Sequence, residues 1–188
     1  MKIYPYFIIV LLFLSCAEKE KAATTQSQIP IGAKVQNYPD MTGMQRVTER
    51  YGYITIAEGD FLNGLHHGTW TIYDNKGKIS RVVSYLNGKK QGPEIFFERD
   101  GKMKRKYFYY NDVLDGEHLE YTSGQIVERT HYRNGQKNGL VQKFYPDGTI
   151  MEESTYVNGT IDGVAKWYNQ EGEVIIEYTY DMGERVEE

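Results

Sequence analysis

From residue 61 onward, apolar and polar positions are arranged in short segments of about six to nine residues, the usual length of a β-strand. No segment keeps the 3.6-residue spacing of an amphipathic helix, so the pattern predicts an all-β chain. Glycines, which tight turns favour, separate the segments at regular intervals. The pattern therefore predicts consecutive β-hairpins, preceded by an extra strand at 51–59, with roughly eleven strands in all.

A 24-residue repeat, shortened by one residue in its third unit, organises these segments. Each unit opens on an aromatic residue, followed two places later by asparagine and then by glycine, or by Asp112 in the third unit. These residue types accept the positive φ angles of a tight hairpin turn. A second glycine follows four residues later in every unit, and we assign it to the turn as well. The units are 61–84, 85–108, 109–131, 132–155 and 156–179, with a partial unit at 180–188, and their turn residues include Asn63, Gly64, Gly68, Asn87, Gly88, Gly92, Gly116, Gly139 and Gly163.

Two further apolar positions recur in each unit: an aromatic residue, such as Tyr73, and an aliphatic residue, such as Ile79. Ile79 and the next opening aromatic, Tyr85, are six residues apart, and this even spacing predicts that they share one face of a strand. Each unit is too short to bury its aromatic residues alone, so neighbouring units must stack. We therefore expect an all-β, elongated single-sheet repeat array, built as a meander of antiparallel β-hairpins.

The N-terminal residues 1–15 combine one lysine with an almost unbroken apolar run, which is typical of an export signal. The run is shorter than the roughly 20 residues needed to span a bilayer as a helix. Cys16, the single cysteine of the chain, follows directly, and "FLSC" resembles a bacterial lipoprotein signal. That resemblance implies lipid attachment at Cys16, and the absence of aspartate after it implies sorting to the outer membrane. Residues 16–47 are polar and are predicted to be a flexible tether, which leaves 48–188 as the repeat domain.

Several classes of function are disfavoured by the sequence. The adjacent histidines His66 and His67 suggest a metal site, but consecutive strand residues point to opposite faces, and the other units carry unrelated residues there. No serine has the flanking glycines of a nucleophile elbow, and the acidic residues sit at turns, where they cap the backbone. The net charge of −4 and the absence of a basic run argue against a nucleic-acid partner. We predict a non-enzyme without metal or cofactor.

Six aromatic residues fall outside the recurring aromatic positions and are candidates for a binding surface on the other side of the sheet. Aromatic rings give a large contact area at low entropic cost, which suits the binding of a protein or a glycan. The alternative is that they cover the second side of the sheet. These residues are Trp70, Phe96, Phe108, Tyr110, Tyr145 and Trp167.

The recurring pattern NGxxxGxxxxYxxxG, present as "NGLHHGTWTIYDNKG" and again as "NGKKQGPEIFFERDG", resembles the MORN repeat in its longer bacterial variant. Bacterial members of that group are often described as YwqK-type and antitoxin-like. The resemblance implies a β-hairpin array that acts as a binding or scaffolding surface. We expect an envelope protein partner on either side of the outer membrane. A glycan- or peptidoglycan-binding module and an immunity-like neutraliser are the alternatives.

Overall fold

The computed structural model describes residues 27–186, which form one open antiparallel β-sheet with no helix. Its strands are β1 Lys34–Asn37, β2 Met44–Tyr51, β3 Ile54–Leu62, β4 Leu65–Tyr73, β5 Ile79–Leu86, β6 Lys89–Phe97, β7 Met103–Tyr110, β8 Val113–Leu114, β9 Gly116–Thr122, β10 Gln125–Arg133, β11 Gln136–Phe144, β12 Ile150–Val157, β13 Thr160–Tyr168, β14 Val174–Asp181 and β15 Glu184–Arg185. They follow one another across the sheet in chain order, except that the short β8 pairs with β7 beside the main path. The predicted hairpin meander is confirmed, and β1, β2, β8 and β15 are additional to the expected strands.

The Asn-Gly pairs form the two-residue turns that the sequence predicts. Asn63 and Gly64 have φ angles of 51° and 77°, the left-handed pair that matches the twist of a hairpin. In the third unit Asn111 and Asp112 adopt the same conformation, with φ angles of 49° and 68°. Successive turns are also linked to the neighbouring unit through the backbone. The N–H groups of the second turn residues Gly88, Asp112, Gly135, Gly159 and Gly183 donate to the carbonyls of His66, Lys90, Leu114, Lys137 and Ile161, at 2.8 to 3.0 Å.

The second glycine of each unit lies within a strand, or at its first residue in the case of Gly116, so its assignment to the turn is wrong. Val83 pairs with Glu94, whereas Tyr85 pairs with Lys90. Ser84 of β5 therefore faces the three residues 91–93 of β6, with Gly92 in the middle. This β-bulge requires a positive φ angle, which is 93° at Gly92. The same shift of one residue against three occurs between β3 and β4, between β10 and β11, and between β12 and β13. The corresponding glycines, Gly68, Gly116, Gly139 and Gly163, all have positive φ angles.

One face of the sheet, which we call the Trp70 face, carries nearly all of the fully buried side chains. A single sheet has no second layer, so side chains of the same face, such as Ile72 and Tyr85, provide this burial together with the N-terminal Ile29 and Ala33. The core cluster contains Val47, Ala57, Phe61, Trp70 and Val83. Cross-strand pairing extends it into a central row that crosses the sheet: Val47, Gly59, Trp70, Val83, Glu94, Tyr107, His118, Thr130, Val141, Ser154, Ala165 and Tyr178.

The opposite face, which we call the Tyr73 face, carries the second recurring aromatic. Tyr73 pairs with Ile79, whereas the preceding Ile72 pairs with Arg81, so Ser80 is an extra residue in β5. This second bulge reverses the alternation of the strand. Ile79 therefore shares the Tyr73 face, while Tyr85 lies on the Trp70 face. The prediction that these two residues share a face is wrong, because a spacing rule assumes an uninterrupted pleat.

The segment predicted as a flexible tether contributes ordered structure from residue 27 onward. β1 pairs with β2, and Val47 of β2 is completely buried. Ile29 and Ala33 pack against the core cluster. Gln28 completes this N-terminal contact, because its backbone N–H donates to the Gly64 carbonyl at 2.7 Å. The tether is therefore shorter than 16–47, and residues 1–26, including Cys16, lie outside the described part of the chain.

Candidate interaction surface

The Tyr73 face presents a continuous row of apolar side chains across ten strands. In each unit the recurring aromatic lies directly opposite the recurring aliphatic residue of the next strand. We call this row the apolar stripe. Its pairs are Tyr73 with Ile79, Phe97 with Met103, Tyr121 with Ile126, Phe144 with Ile150, and Tyr168 with Val174.

Several residues of the apolar stripe are open to solvent. Ile79, Met103 and Val174 are 45%, 38% and 47% exposed. Single exposed aliphatic residues are normal on protein surfaces, but a contiguous exposed apolar row marks an interaction surface. The position of the stripe follows from the bulge at Ser80 and its equivalents in the other units. Each bulge moves the aliphatic residue from the Trp70 face to the Tyr73 face, where it lies beside the aromatic residue.

Grooves separate the hairpin ends along the apolar stripe. One groove of about 320 Å³ lies between Ile79 and Phe97, and a related groove of about 470 Å³ lies between Ile126 and Phe144. A third, of about 600 Å³, lies beside Tyr73 at the first hairpin. Equivalent positions are two strands apart, so grooves and aromatic ridges repeat about every 9.5 Å. The surface therefore offers related subsites in a line, which suits an extended partner.

The turns at this end of the hairpins are rigidly built. Asp74 accepts hydrogen bonds from the backbone N–H groups of Lys76 and Lys78, each at 2.9 Å. These bonds, with that of Lys78 the stronger influence, lower the pKa of Asp74. Asp147 caps its own turn through the Thr149 N–H at 2.9 Å. Turns fixed in this way hold the edges of the grooves in place.

The Trp70 face contains a buried charge cluster in the second unit. Glu94 is 1% exposed, and its carboxylate lies 2.8 Å from Lys90 Nζ and 3.4 Å from Arg81 Nη1. Burial, together with the nearby Glu94 carboxylate, raises the pKa of Tyr109 to about 12. Two cations therefore compensate this carboxylate, as a buried charge requires. These ion pairs explain why Glu94 can be buried, and they give it a structural role.

A buried histidine occupies the equivalent central position of the third unit. His118 stacks on Tyr107, with ring centroids 4.4 Å apart and planes inclined by 22°. Neither ring nitrogen has a hydrogen-bond partner, and Nε2 lies 3.6 Å from a Glu120 oxygen. Burial lowers the pKa of His118. The repeat alignment could have indicated Glu94 and His118, because they replace apolar residues at the central position of the unit. That position is occupied by Trp70, Glu94, His118, Val141 and Ala165 in the five units.

His66 and His67 lie on opposite faces of β4. His66 pairs with Phe61 and His67 with Asp60, so the two imidazoles leave opposite faces of β4. The His66 ring packs at a tilt against Phe61, Trp70 and Tyr85, and burial lowers the pKa of His66. Both histidines lie in strand β4. Within residues 27–186, no three histidine, cysteine, aspartate or glutamate side chains are placed to hold a metal ion.

The six aromatic residues proposed from the sequence do not form one surface. Trp70 is 2% exposed and belongs to the core, so its assignment to a binding surface is wrong. Phe96 and Trp167 lie on the same face as Trp70, because they pair with Arg81 and Glu152 in the row beside the central row. Phe108 and Tyr110 flank Tyr109 in β7 and therefore lie on the Tyr73 face. The Tyr145 hydroxyl donates a hydrogen bond to the Tyr168 carbonyl at 2.8 Å.

Comparison with protein-family sequences finds a likeness for three of the hairpins. Three segments of the chain, 67–87, 137–158 and 161–182, match the MORN repeat variant. They correspond to β4–β5, β11–β12 and β13–β14.

Other comparisons add little about function. None of the curated proteins matches the chain. Among solved structures, a GtfA/B complex bound to UDP and GlcNAc aligns with 83% of this chain and 26% of its own, at 11% identity and a TM-score of 0.25. Accessory secretory protein 1, 2 and 3 of Streptococcus pneumoniae aligns with 73% of this chain and 19% of its own, at 11% identity and a TM-score of 0.20. The chain thus spans about a quarter or less of these chains, and the likeness carries no functional argument.

Residues 27–186 include no helix with the length and apolar character needed to cross a bilayer. The predicted lipid attachment at Cys16 lies outside these residues.

Proposed function

We propose that this chain is a non-catalytic, lipid-anchored protein of the cell envelope whose MORN-variant array serves as a protein-interaction surface. The apolar stripe carries the proposal. It is a contiguous row of alternating aromatic and aliphatic residues, three of them exposed and the others half-buried, with grooves at repeat spacing and rigid turns beside it. Aromatic side chains and methionine, both present in the stripe, are enriched in protein-binding surfaces.

A binding role without catalysis is supported by the state of the buried ionisable groups. Two cations neutralise Glu94. His118 is 9% exposed and stacked on Tyr107, so a substrate would have little access to its ring nitrogens. General acid–base catalysis needs a group within hydrogen-bond reach of a bound substrate. Neither residue lies in the grooves of the apolar stripe.

The lipid anchor rests on Cys16 and the apolar run before it. Cys16→Ser should transfer the protein from the detergent phase to the aqueous phase in a phase-partitioning experiment, since one acylated residue supplies the attachment. Unchanged partitioning would exclude the anchor. Proteolysis of intact cells would then show whether the array faces the periplasm or the exterior.

The interaction surface is tested by two matched substitutions. Met103→Asp places a charge in the apolar stripe, whereas Ile176→Asp places one on the Trp70 face at similar exposure, 42% against 38%. A stoichiometric envelope partner, identified by cross-linking and mass spectrometry, should be lost with Met103→Asp and retained with Ile176→Asp. Loss with both variants, or with neither, would contradict the assignment of the stripe.

A glycan- or peptidoglycan-binding role is a second candidate, because the grooves repeat at about 9.5 Å between aromatic rings, close to the repeat of an extended disaccharide polymer. Purified protein that sediments with sacculi, and that loses this property on Phe97→Ala, would favour this candidate. Sacculi binding that survives the substitution would assign it to another part of the chain.

A further inference from the structure

The turns beside the apolar stripe carry a graded charge from one end of the array to the other. Turn 1 (74–78) and turn 2 (98–104, extended to include Lys104) each have one more positive than negative residue. Turn 3 (122–125) has no charged residue, turn 4 (145–149) has Asp147 alone, and turn 5 (169–173) has Glu171 and Glu173. The charges that set the two ends are solvent-exposed: Lys76, Lys78, Asp147, Glu171 and Glu173.

This gradient is self-complementary under a two-fold axis through the third unit. Such an axis would bring turn 1 of one copy to turn 5 of the other, and turn 2 to turn 4, with opposite net charges at each meeting. At the axis itself, turn 3 would meet its own copy, and it is the one turn of the five without charge. A parallel arrangement of two copies would instead oppose like charges at both ends. We propose, building on the protein-interaction role above, that the partner of the apolar stripe is a second, antiparallel copy of this chain.

The repeat also makes the two surfaces fit. Aromatic ridges and grooves arise from the same unit, so they share one period along the stripe, and with turn 3 on the axis the two rows of apolar side chains meet in register along their length. Ten strands give a stripe about 45 Å long, and four to five residues of each hairpin end make it about 15 Å wide. The contact would bury roughly 700 Å² per copy, close to the approximately 800 Å² of a standard stable interface. Isologous two-fold contacts are the commonest form of oligomer.

Apolar contact and charge have separate roles in this dimer. The stripe supplies the affinity, since buried apolar area drives association. The exposed turn charges are screened at physiological salt and contribute modestly to affinity, but they select the antiparallel orientation. Orientation is therefore the property that distinguishes this dimer from non-specific association of exposed apolar residues.

Disulfide trapping tests the orientation in a full-length chain carrying Cys16→Ser, so that each introduced thiol is the sole one. Thr122→Cys in turn 3 should form a covalent dimer under mild oxidation. Asn75→Cys and Gln170→Cys, in turns 1 and 5, should each remain monomeric alone and become cross-linked when mixed. Cross-linking of Asn75→Cys with itself, or none with Thr122→Cys, would overturn the antiparallel dimer.

Charge reversal provides an independent readout by analytical ultracentrifugation. Lys76→Glu with Lys78→Glu should weaken the dimer about tenfold, and Glu171→Lys with Glu173→Lys should do the same. All four substitutions in one chain should restore it, because opposite charges meet again. Additive weakening would contradict the pairing of turns 1 and 5. Circular dichroism would confirm folding, since these residues are exposed.

Failure of this dimer and failure of the proposed function are distinguishable. A monomer at every concentration that still loses an identified envelope partner on Met103→Asp would overturn the dimer and leave the interaction surface intact. A Met103→Asp protein that loses neither self-association nor a partner would overturn both.

Discussion

Gly59 lies directly against the indole ring of Trp70, and any Cβ atom at position 59 would overlap that ring. Trp70 is held there by its Nε1–H, which donates to the Asp60 carbonyl at 2.9 Å, and by an edge contact with Phe61 at 5.2 Å between centroids. Gly59 does not have a positive φ angle. Its requirement is therefore one of space, and it differs from that of the turn and bulge glycines.

Gly59→Ala should destabilise the protein by about 1–3 kcal/mol, the usual cost of overpacking a fixed core. Chemical denaturation followed by far-UV circular dichroism measures the change. The double variant with Trp70→Leu should show less than the sum of the two single effects, because the smaller side chain leaves room for the methyl group. Strict additivity would mean that the two residues do not interact in this way.

Gly116→Val should be among the most damaging single changes in the array. Gly116 has a φ angle of 118°, and a Cβ there would lie 3.0 Å from Phe108 Cβ. Strain and overpacking together should cost about 3 kcal/mol or more in the free energy of unfolding. His67→Gln, a substitution already present in the second unit as Gln91, should change it by less than about 0.5 kcal/mol. Equal effects would refute the repeat register.

Glu94→Gln should destabilise by about 3 kcal/mol, because it leaves Lys90 and Arg81 without their buried counter-charge. Glu98→Gln is the matched control, since its pair with Lys104 is about half exposed on both sides and contributes little. Thermal and urea denaturation would measure both. A Glu94→Gln protein as stable as the control would show that the cluster is not coupled.

The same substitution should lower the pKa of Tyr109, which burial and then Glu94 raise to about 12. Tyr168, whose pKa a hydrogen bond to Glu153 raises to about 12, serves as the internal control and should not change. NMR of Cζ-labelled tyrosine would follow both titrations. A fall at both residues would indicate a general loosening of the fold.

Stability should decline as the pH falls below the ordinary histidine pKa of 6.5. Burial lowers the pKa of His118, so the folded protein takes up this proton less readily than the unfolded chain does. The contribution of His118 to stability is therefore complete above pH 6.5 and is lost as the pH falls toward the pKa of His118 in the folded protein. Urea denaturation between pH 7.5 and about 5 should show a smaller decline for His118→Gln. His131→Gln, at an exposed position, is the control that should retain the full decline.

The two tryptophans should differ sharply in solvent access. Trp70 is 2% exposed, whereas Trp167 is partly exposed on the same face. Acrylamide should quench the fluorescence of Trp70→Phe, which retains Trp167, more strongly than that of Trp167→Phe. Equal quenching would contradict the burial of Trp70 and restore it as a surface residue.

Particular residues show how far the sequence could predict this structure. Asn63 and Gly64 identified a hairpin because positive φ angles restrict the residues that tolerate them. The sequence could not place Gly92 in a bulge, because a turn and a bulge demand the same backbone conformation. Trp70 was misassigned for a related reason: strand spacing gives the face of a residue, whereas burial depends on what packs over it.

The apolar stripe was present in the sequence as two recurring positions, but its exposure was not. Each Ser80-type bulge inserts one residue and reverses the alternation, so the stripe lies opposite the opening aromatics. Gly59 lies before the repeat and has no equivalent in the alignment, and only its contact with Trp70 explains it.

By itself, the sequence determined the repeat, the hairpins and the all-β class, because backbone conformations at turns and alternation within short strands are local properties. The tertiary structure alone decided which aromatic residues are buried, where the bulges reverse the faces, and that residues 27–47 help to cover the first unit. These features depend on contacts between strands, and a pattern read along one strand carries no information about its neighbours.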